Sequence, residues 1–150
     1  MSDDKRVHHK RLGRELAMQF LFQFDCGERE FDPRDFALFV KCAGAEDASS
    51  DDRRFRRAAK YAEKLVSAVL GDLERIDGKI KALLSEKWSW ERLAVVDKAI
   101  LRVAAAEMLV FDDVPPLVAI DEAIEIAKKY GDESSKAFVN GLLDALKNIG

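Results

Sequence analysis

The stretch Asp112-Asp113-Val114-Pro115-Pro116-Leu117-Val118-Ala119-Ile120-Asp121-Glu122-Ala123-Ile124-Glu125-Ile126-Ala127-Lys128-Lys129-Tyr130-Gly131 holds both a helix start and a helix stop. Pro115 pushes Val114 toward extended backbone, and Pro116 fits a first helical turn, where its missing N–H has no intrahelical bond to lose. Ile120, Ala123, Ile124 and Ala127 follow the i, i+3, i+4, i+7 rhythm of a buried face, while Asp121, Glu122, Glu125, Lys128 and Lys129 fill the outside. Glu125 stands four residues before Lys129, the favourable order for an ion pair. Gly131 is expected to close the helix as a left-handed cap.

Working outward, Asp132-Glu133-Ser134-Ser135-Lys136 opens a last helix in which Phe138, Leu142, Ala145, Leu146 and Ile149 keep the helical spacing. Gly141 inside it is read as a point of close backbone approach. Upstream, Ser89 is expected to cap a helix buried through Leu93, Val96, Ile100, Val103, Ala104 and Met108 and punctuated by Asp97, Lys98, Arg102 and Glu107. Before that, Arg53, Arg54, Arg56, Arg57 and Lys60 open a helix carrying Phe55, Ala59, Ala62, Val66, Val69, Leu73, Ile76 and Ile80, which Gly71 and Gly78 should bend or split. Arginines at a helix start oppose its dipole, so this cluster faces acids, solvent or an anionic partner; the sequence leaves its role open. Asp32-Pro33 begins a short helix with Phe36, Phe39 and Val40 on one edge, and Gly44 is expected to end it before a loop over 44–52. In the first helix, Leu12, Leu16, Met18, Phe20, Leu21, Phe22 and Phe24 are too dense for a single stripe, so more than one side needs a neighbour.

The 150 residues suit one domain, 1–150, and with 8 Gly, 3 Pro and no alternating β-branched runs the fold class is all-α. No apolar run approaches the roughly 20 residues of a membrane helix. Met1-Ser2-Asp3-Asp4-Lys5-Arg6 leads into charge rather than an apolar signal region, so a cytoplasmic location and no membrane contact are expected. Cys26 and Cys42 lie sixteen positions apart without a CxxC, which argues against a metal or redox site. No phosphate loop, dinucleotide fingerprint, nucleophile elbow or zinc helix is present, and His8 and His9 are adjacent, so no catalytic residue, metal or cofactor is expected. With a net charge of −3, any binding of nucleic acid must use a local patch. Lys5, Arg6, Lys10, Arg11 and Arg14 form one, in what reads as a flexible basic segment over 1–11 leading into the first helix. A solvated, frayed terminus accounts for the same residues without a ligand.

Four runs carry a family resemblance: Val96-Asp97-Lys98-Ala99-Ile100-Leu101-Arg102-Val103-Ala104, Asp113-Val114-Pro115 with Ala119 to Lys128, Tyr130-Gly131, and Phe138-Val139-Asn140-Gly141-Leu142-Leu143-Asp144. Together with Arg14-Glu15-Leu16-Ala17-Met18-Gln19-Phe20-Leu21-Phe22-Gln23, they resemble the NusB transcription antitermination family at both ends of the chain and in the right order. Only 27–84 lacks such motifs. The resemblance implies a compact bundle of about six or seven helices in two packed subbundles. It also implies a non-catalytic factor that binds boxA-type single-stranded RNA with the ribosomal protein NusE and helps RNA polymerase resist termination in ribosomal RNA synthesis.

Carried onto this chain, the family's RNA contacts fall on Lys5, Arg6, Lys10, Arg11 and Arg14, and on Ser134, Lys136, Phe138 and Asn140. Phe22 and Asp97 match positions that contact NusE. The bases of single-stranded RNA are open to stacking, which suits Phe138, although its spacing to Leu142 equally suits the core. The chain departs from the family pattern at His8, His9, Asp3 and Asp4, which dilute the basic cluster, and at Ser134 and Ala137, where relatives carry Asp or a basic residue. Weak RNA binding alone and stronger binding with the basic partner are therefore expected. Two other readings compete: a protein-interaction module or homodimer without RNA contact, and an enzyme akin to the RNA methyltransferases that carry a NusB-like domain, for which the chain has neither room for the methyltransferase fold nor a cofactor loop.

Overall fold

The computed structural model describes residues 2–46 and 52–149, with side chains described over 9–44 and 53–149. The helices are α1 (Ser2–Cys26), α2 (Pro33–Glu46), α3 (Asp52–Gly71), α4 (Leu73–Ala82), α5 (Val95–Val110), α6 (Pro116–Tyr130) and α7 (Glu133–Ile149), with a 3₁₀ turn at Trp90–Arg92. No strand occurs among the described residues. The expected all-α class and its division into two helical units both hold: one unit is Met1–Ser67 and the other Ala68–Gly150.

In the first unit, α1 extends back to Ser2 through the stretch that reads as a flexible segment from sequence. No Gly or Pro interrupts 2–12. Part of the surplus of apolar residues on α1 is taken up by an aromatic cluster. The buried Phe20 ring meets Phe31, Phe36 and Phe39 at centroid distances of 6.1, 5.1 and 5.6 Å, the first two edge-on. Asp32 starts α2 as expected, its Oδ1 accepting the Arg34 backbone N–H at 2.9 Å. Gly44 does not end α2, which continues to Glu46. Instead a Cβ there would stand 3.0 Å from the Phe55 ring of α3. Gly13 has a similar role that the sequence reading missed. A Cβ on it would fall 2.9 Å from the Ala58 carbonyl oxygen and 3.1 Å from the Tyr61 Cβ, so α1 and α3 meet backbone to side chain.

In the second unit, α5 is buried without interruption from Ala99 to Glu107, with α4, α6 and α7 packed around it. Its charges are therefore interior. Arg102 is 1% exposed, and its Nε and terminal nitrogen donate to the two Asp77 oxygens at 2.8 and 2.9 Å. Ser89 caps only the 3₁₀ turn and makes no side-chain capping bond, because the extended, buried Leu93 separates that turn from the start of α5 at Val95. Gly71 marks the break between α3 and α4, whereas Gly78 lies inside α4 without splitting it.

Pro116 occupies the first turn of α6, as its sequence requires. The buried face of α6 is turned slightly from the expected one: Ala119, Ile120, Ala123, Ile126 and Ala127 are buried together with Glu122, and Ile124 is only half-buried. Glu125 pairs with Lys128 at 3.2 Å rather than Lys129. Gly131 is not a left-handed cap, since its φ is −91°. It is glycine for space: a Cβ would come within 2.6 Å of the Ser135 Cβ and 3.0 Å of the Ala127 carbonyl oxygen. At Gly141, by contrast, no close approach exists, and both Gly141 and Gly78 face open space. Gly131→Ala should therefore cost about 1–3 kcal/mol by overpacking. Gly78→Ala and Gly141→Ala should each add about 0.5–1 kcal/mol from helix propensity. Urea unfolding of the three variants reads the opposite signs directly.

Candidate nucleic-acid interface

The basic residues of α1 occupy a helix held against α3. Lys10 Nζ lies 5.5 Å from the Tyr61 ring centroid and the Arg14 guanidinium 5.7 Å from it. These contacts differ in exposure. Arg14 is 4% exposed, so the structure places it in the interior of the first unit and removes it from the surface on which the sequence reading put it. Lys10 and Arg11 remain half-buried and reach the surface. Lys5 and Arg6 lie on the first turns of α1, with side chains outside the described residues.

The start of α7 is built by Asp132. Its Oδ1 accepts the backbone N–H groups of Ser134 and Ser135 at 2.9 and 3.0 Å and the Ser134 hydroxyl at 2.7 Å. The Ser135 hydroxyl accepts the Asp132 N–H at 3.2 Å, the reciprocal half of a capping box. Hydrogen bonds from Ser134, with further ones from Ser135, hold the Asp132 carboxyl below its ordinary range.

Helical geometry divides the four α7 candidates. Ser134 and Phe138 are four residues apart and share an edge, whereas Lys136 and Asn140 stand roughly 160–240° further round. Ser135, Val139 and Leu142 form the buried face between the two edges. Phe138 is neither core nor free surface: it is half-buried, with its ring 5.0 Å from that of Trp88, itself 49% exposed. Trp88 is the residue that sequence reasoning missed, having been read only as part of a turn. Its signal was a tryptophan among polar neighbours, Ser85-Glu86-Lys87-Trp88-Ser89, with no helical register to bury it.

Both partner candidates are in unusual settings. Phe22 is 41% exposed on α1. Asp97 is 9% exposed, and its Oδ1 has no hydrogen-bond partner. Burial raises its carboxyl pKa and the charge of Asp132 adds to this, while a hydrogen bond from Ser135 draws it back. Among the described residues no cluster of His, Cys, Asp and Glu is arranged to hold a metal, and no helix is long and apolar enough to cross a membrane. Cys26 and Cys42 are exposed free thiols.

The protein is thus all-helical, with basic residues on α1 and a half-open aromatic pair at the polar-capped α7. The chain belongs to the NusB family, whose sequence profile matches residues 11–148. It is 42% identical to the transcription antitermination protein NusB of Desulfosudis oleivorans, over 94% of this chain and 87% of that one. It is also 40% identical to the protein of that name from Chloroherpeton thalassium, where 93% of this chain spans 61% of the relative's length. A crystal structure of antitermination factors NusB and NusE in complex with double-stranded RNA superposes with a TM-score of 0.76 at 28% identity, covering 95% of this chain and 98% of that one.

Proposed function

We propose that this protein is a non-catalytic, cytoplasmic transcription antitermination factor that binds boxA-type single-stranded RNA together with NusE and joins the RNA polymerase complex during ribosomal RNA synthesis. The observation that carries this reading is the Trp88–Phe138 pair, half-open beside the Asp132 cap and the exposed Ser134. Aromatic rings stack on unpaired bases of any sequence, and hydroxyls and exposed amides read their edges. Lys10 and Arg11, with Lys5 and Arg6 preceding them, supply phosphate contacts. Lys136 and Asn140 serve a strand that crosses the end of α7 to its other edge. Phe22 and Asp97 are assigned to NusE, which is consistent with an apolar ring left in solvent and a carboxylate oxygen left without a donor.

The test is a titration of boxA and scrambled RNA, with and without NusE, at several salt concentrations. About three to five neutralised phosphates give a slope of log affinity against log salt near −2 to −3.5. Trp88→Ala and Phe138→Ala should each weaken boxA binding by about 1–3 kcal/mol, and Lys10→Ala with Arg11→Ala should flatten the slope. Salt-insensitive binding, or no preference for boxA even with NusE, refutes the reading. The exposed Phe22 would also suit a second copy of the chain. Self-association that Phe22→Ala abolishes, with RNA binding absent, favours that alternative.

A further inference from the structure

The outer face of α3 is not used by the function proposed above. Arg53, Arg57, Lys60 and Lys64 fall at i, i+4, i+7 and i+11, all exposed, and so form one stripe about 16 Å long. Glu63 is the one acid between 53 and 64, and it lies off that stripe by roughly 90°.

The stripe also adjoins the basic residues of α1. Tyr61 lies between Arg57 and Lys64 along α3, and its ring carries Lys10 at 5.5 Å, beside the point where Gly13 brings the two helices together. We infer that the Arg53–Arg57–Lys60–Lys64 stripe of α3 holds the phosphate backbone of RNA flanking the recognised element, without reading its sequence. This inference rests on the RNA-binding reading. Three features favour RNA over an acidic protein: the linear order of the charges, their spacing of about 4.5–6 Å along the axis, and their continuity with α1. Tyr61 is buried and the stripe carries no exposed aromatic ring, so the contact supplies charge rather than stacking.

The experiment compares the native chain with Arg57→Ala/Lys60→Ala/Lys64→Ala, both with NusE, on a short boxA RNA and on the same element lengthened by about ten uridines at each end. Circular dichroism first establishes that the variant keeps its helicity; if it does not, Lys60→Gln/Lys64→Gln replaces it. The native chain should bind the lengthened RNA about tenfold more tightly than the short one. The variant should lose that gain and keep its affinity for the short RNA. On the lengthened RNA the salt slope should become shallower by about 2 for three lost contacts, or about 1.4 for two. An unchanged affinity and slope on the lengthened RNA overturns the inference. Capture of polyglutamate by the native chain but not the variant would then assign the surface to acidic proteins. Lys10→Ala/Arg11→Ala separates the two failures: if it too binds the short boxA RNA like the native chain, the RNA reading itself has failed.

Discussion

Arg102→Ala is expected to destabilise the protein by about 3–5 kcal/mol, the range for removing one member of a buried ion pair. In a chain of this size that lowers the thermal midpoint by on the order of 10 °C. The loss is large because both ends of the pair are interior: Arg102 is 1% exposed and Asp77 8% exposed. Truncation leaves the Asp77 carboxylate buried and deprived of both its guanidinium bonds, at 2.8 and 2.9 Å. It also withdraws one of three cations around the Trp90 ring, where Lys98 lies at 4.8 Å, Arg102 at 5.3 Å and Lys81 at 5.4 Å. Arg102→Lys should recover only part of the loss, because an ammonium cannot make the two parallel bonds. The double variant Arg102→Met/Asp77→Leu should be more stable than Arg102→Ala, since it leaves no orphaned charge. Thermal melts followed by circular dichroism read all three. A melt of Arg102→Ala within a degree or two of the native one would show that the pair is not a structural element of this unit.

Arg102 also shows where reading the sequence stops. Its position in α5 was legible, but its burial was not, because a single charge in a helix reads as the solvent side. The better signal was the surroundings: Ala99 to Ala106 has no other charged residue, and a helix apolar all round lies inside. Helix existence was legible throughout from apolar spacing and from Asp32-Pro33 and Pro115-Pro116. The glycines were misread wherever their reason was spatial. Gly44 and Gly13 are set by residues of α3 distant in sequence, which no local pattern encodes, and Gly131 by Ser135 and the Ala127 carbonyl across the turn from α6 to α7. The candidate site divides in the same way. The basic run on α1 and the polar start of α7 are local features and could be read. The withdrawal of Arg14 into the interior and the pairing of Phe138 with Trp88, fifty positions away, depend on tertiary packing.

Asp97→Asn should stabilise the protein at neutral pH while weakening the proposed complex with NusE. Burial, with Asp132 nearby, holds the folded-state pKa of Asp97 above the ordinary carboxylate value. The folded state therefore binds the proton more tightly than the unfolded chain. The stability Asp97 contributes is full below the unfolded pKa, declines as pH rises through the folded one, and stays low at neutral pH. Asparagine carries no charge to desolvate, so the variant should melt a few degrees higher at pH 7, with the gap closing near pH 4. Asp132 acts in the opposite direction. Its lowered pKa contributes stability above its unfolded value that is lost as pH falls through the folded one, so its effect is confined to the acid side of that window. A buried carboxylate with one oxygen lacking a donor within the chain leaves a place for a cation or N–H from a partner. If NusE supplies it, Asp97→Asn should raise the dissociation constant by about tenfold or more. Melting across pH 4–8 and titration with NusE measure the two effects independently. Equal melting points at pH 7 would remove the electrostatic argument, and unchanged NusE affinity would remove Asp97 from the partner surface.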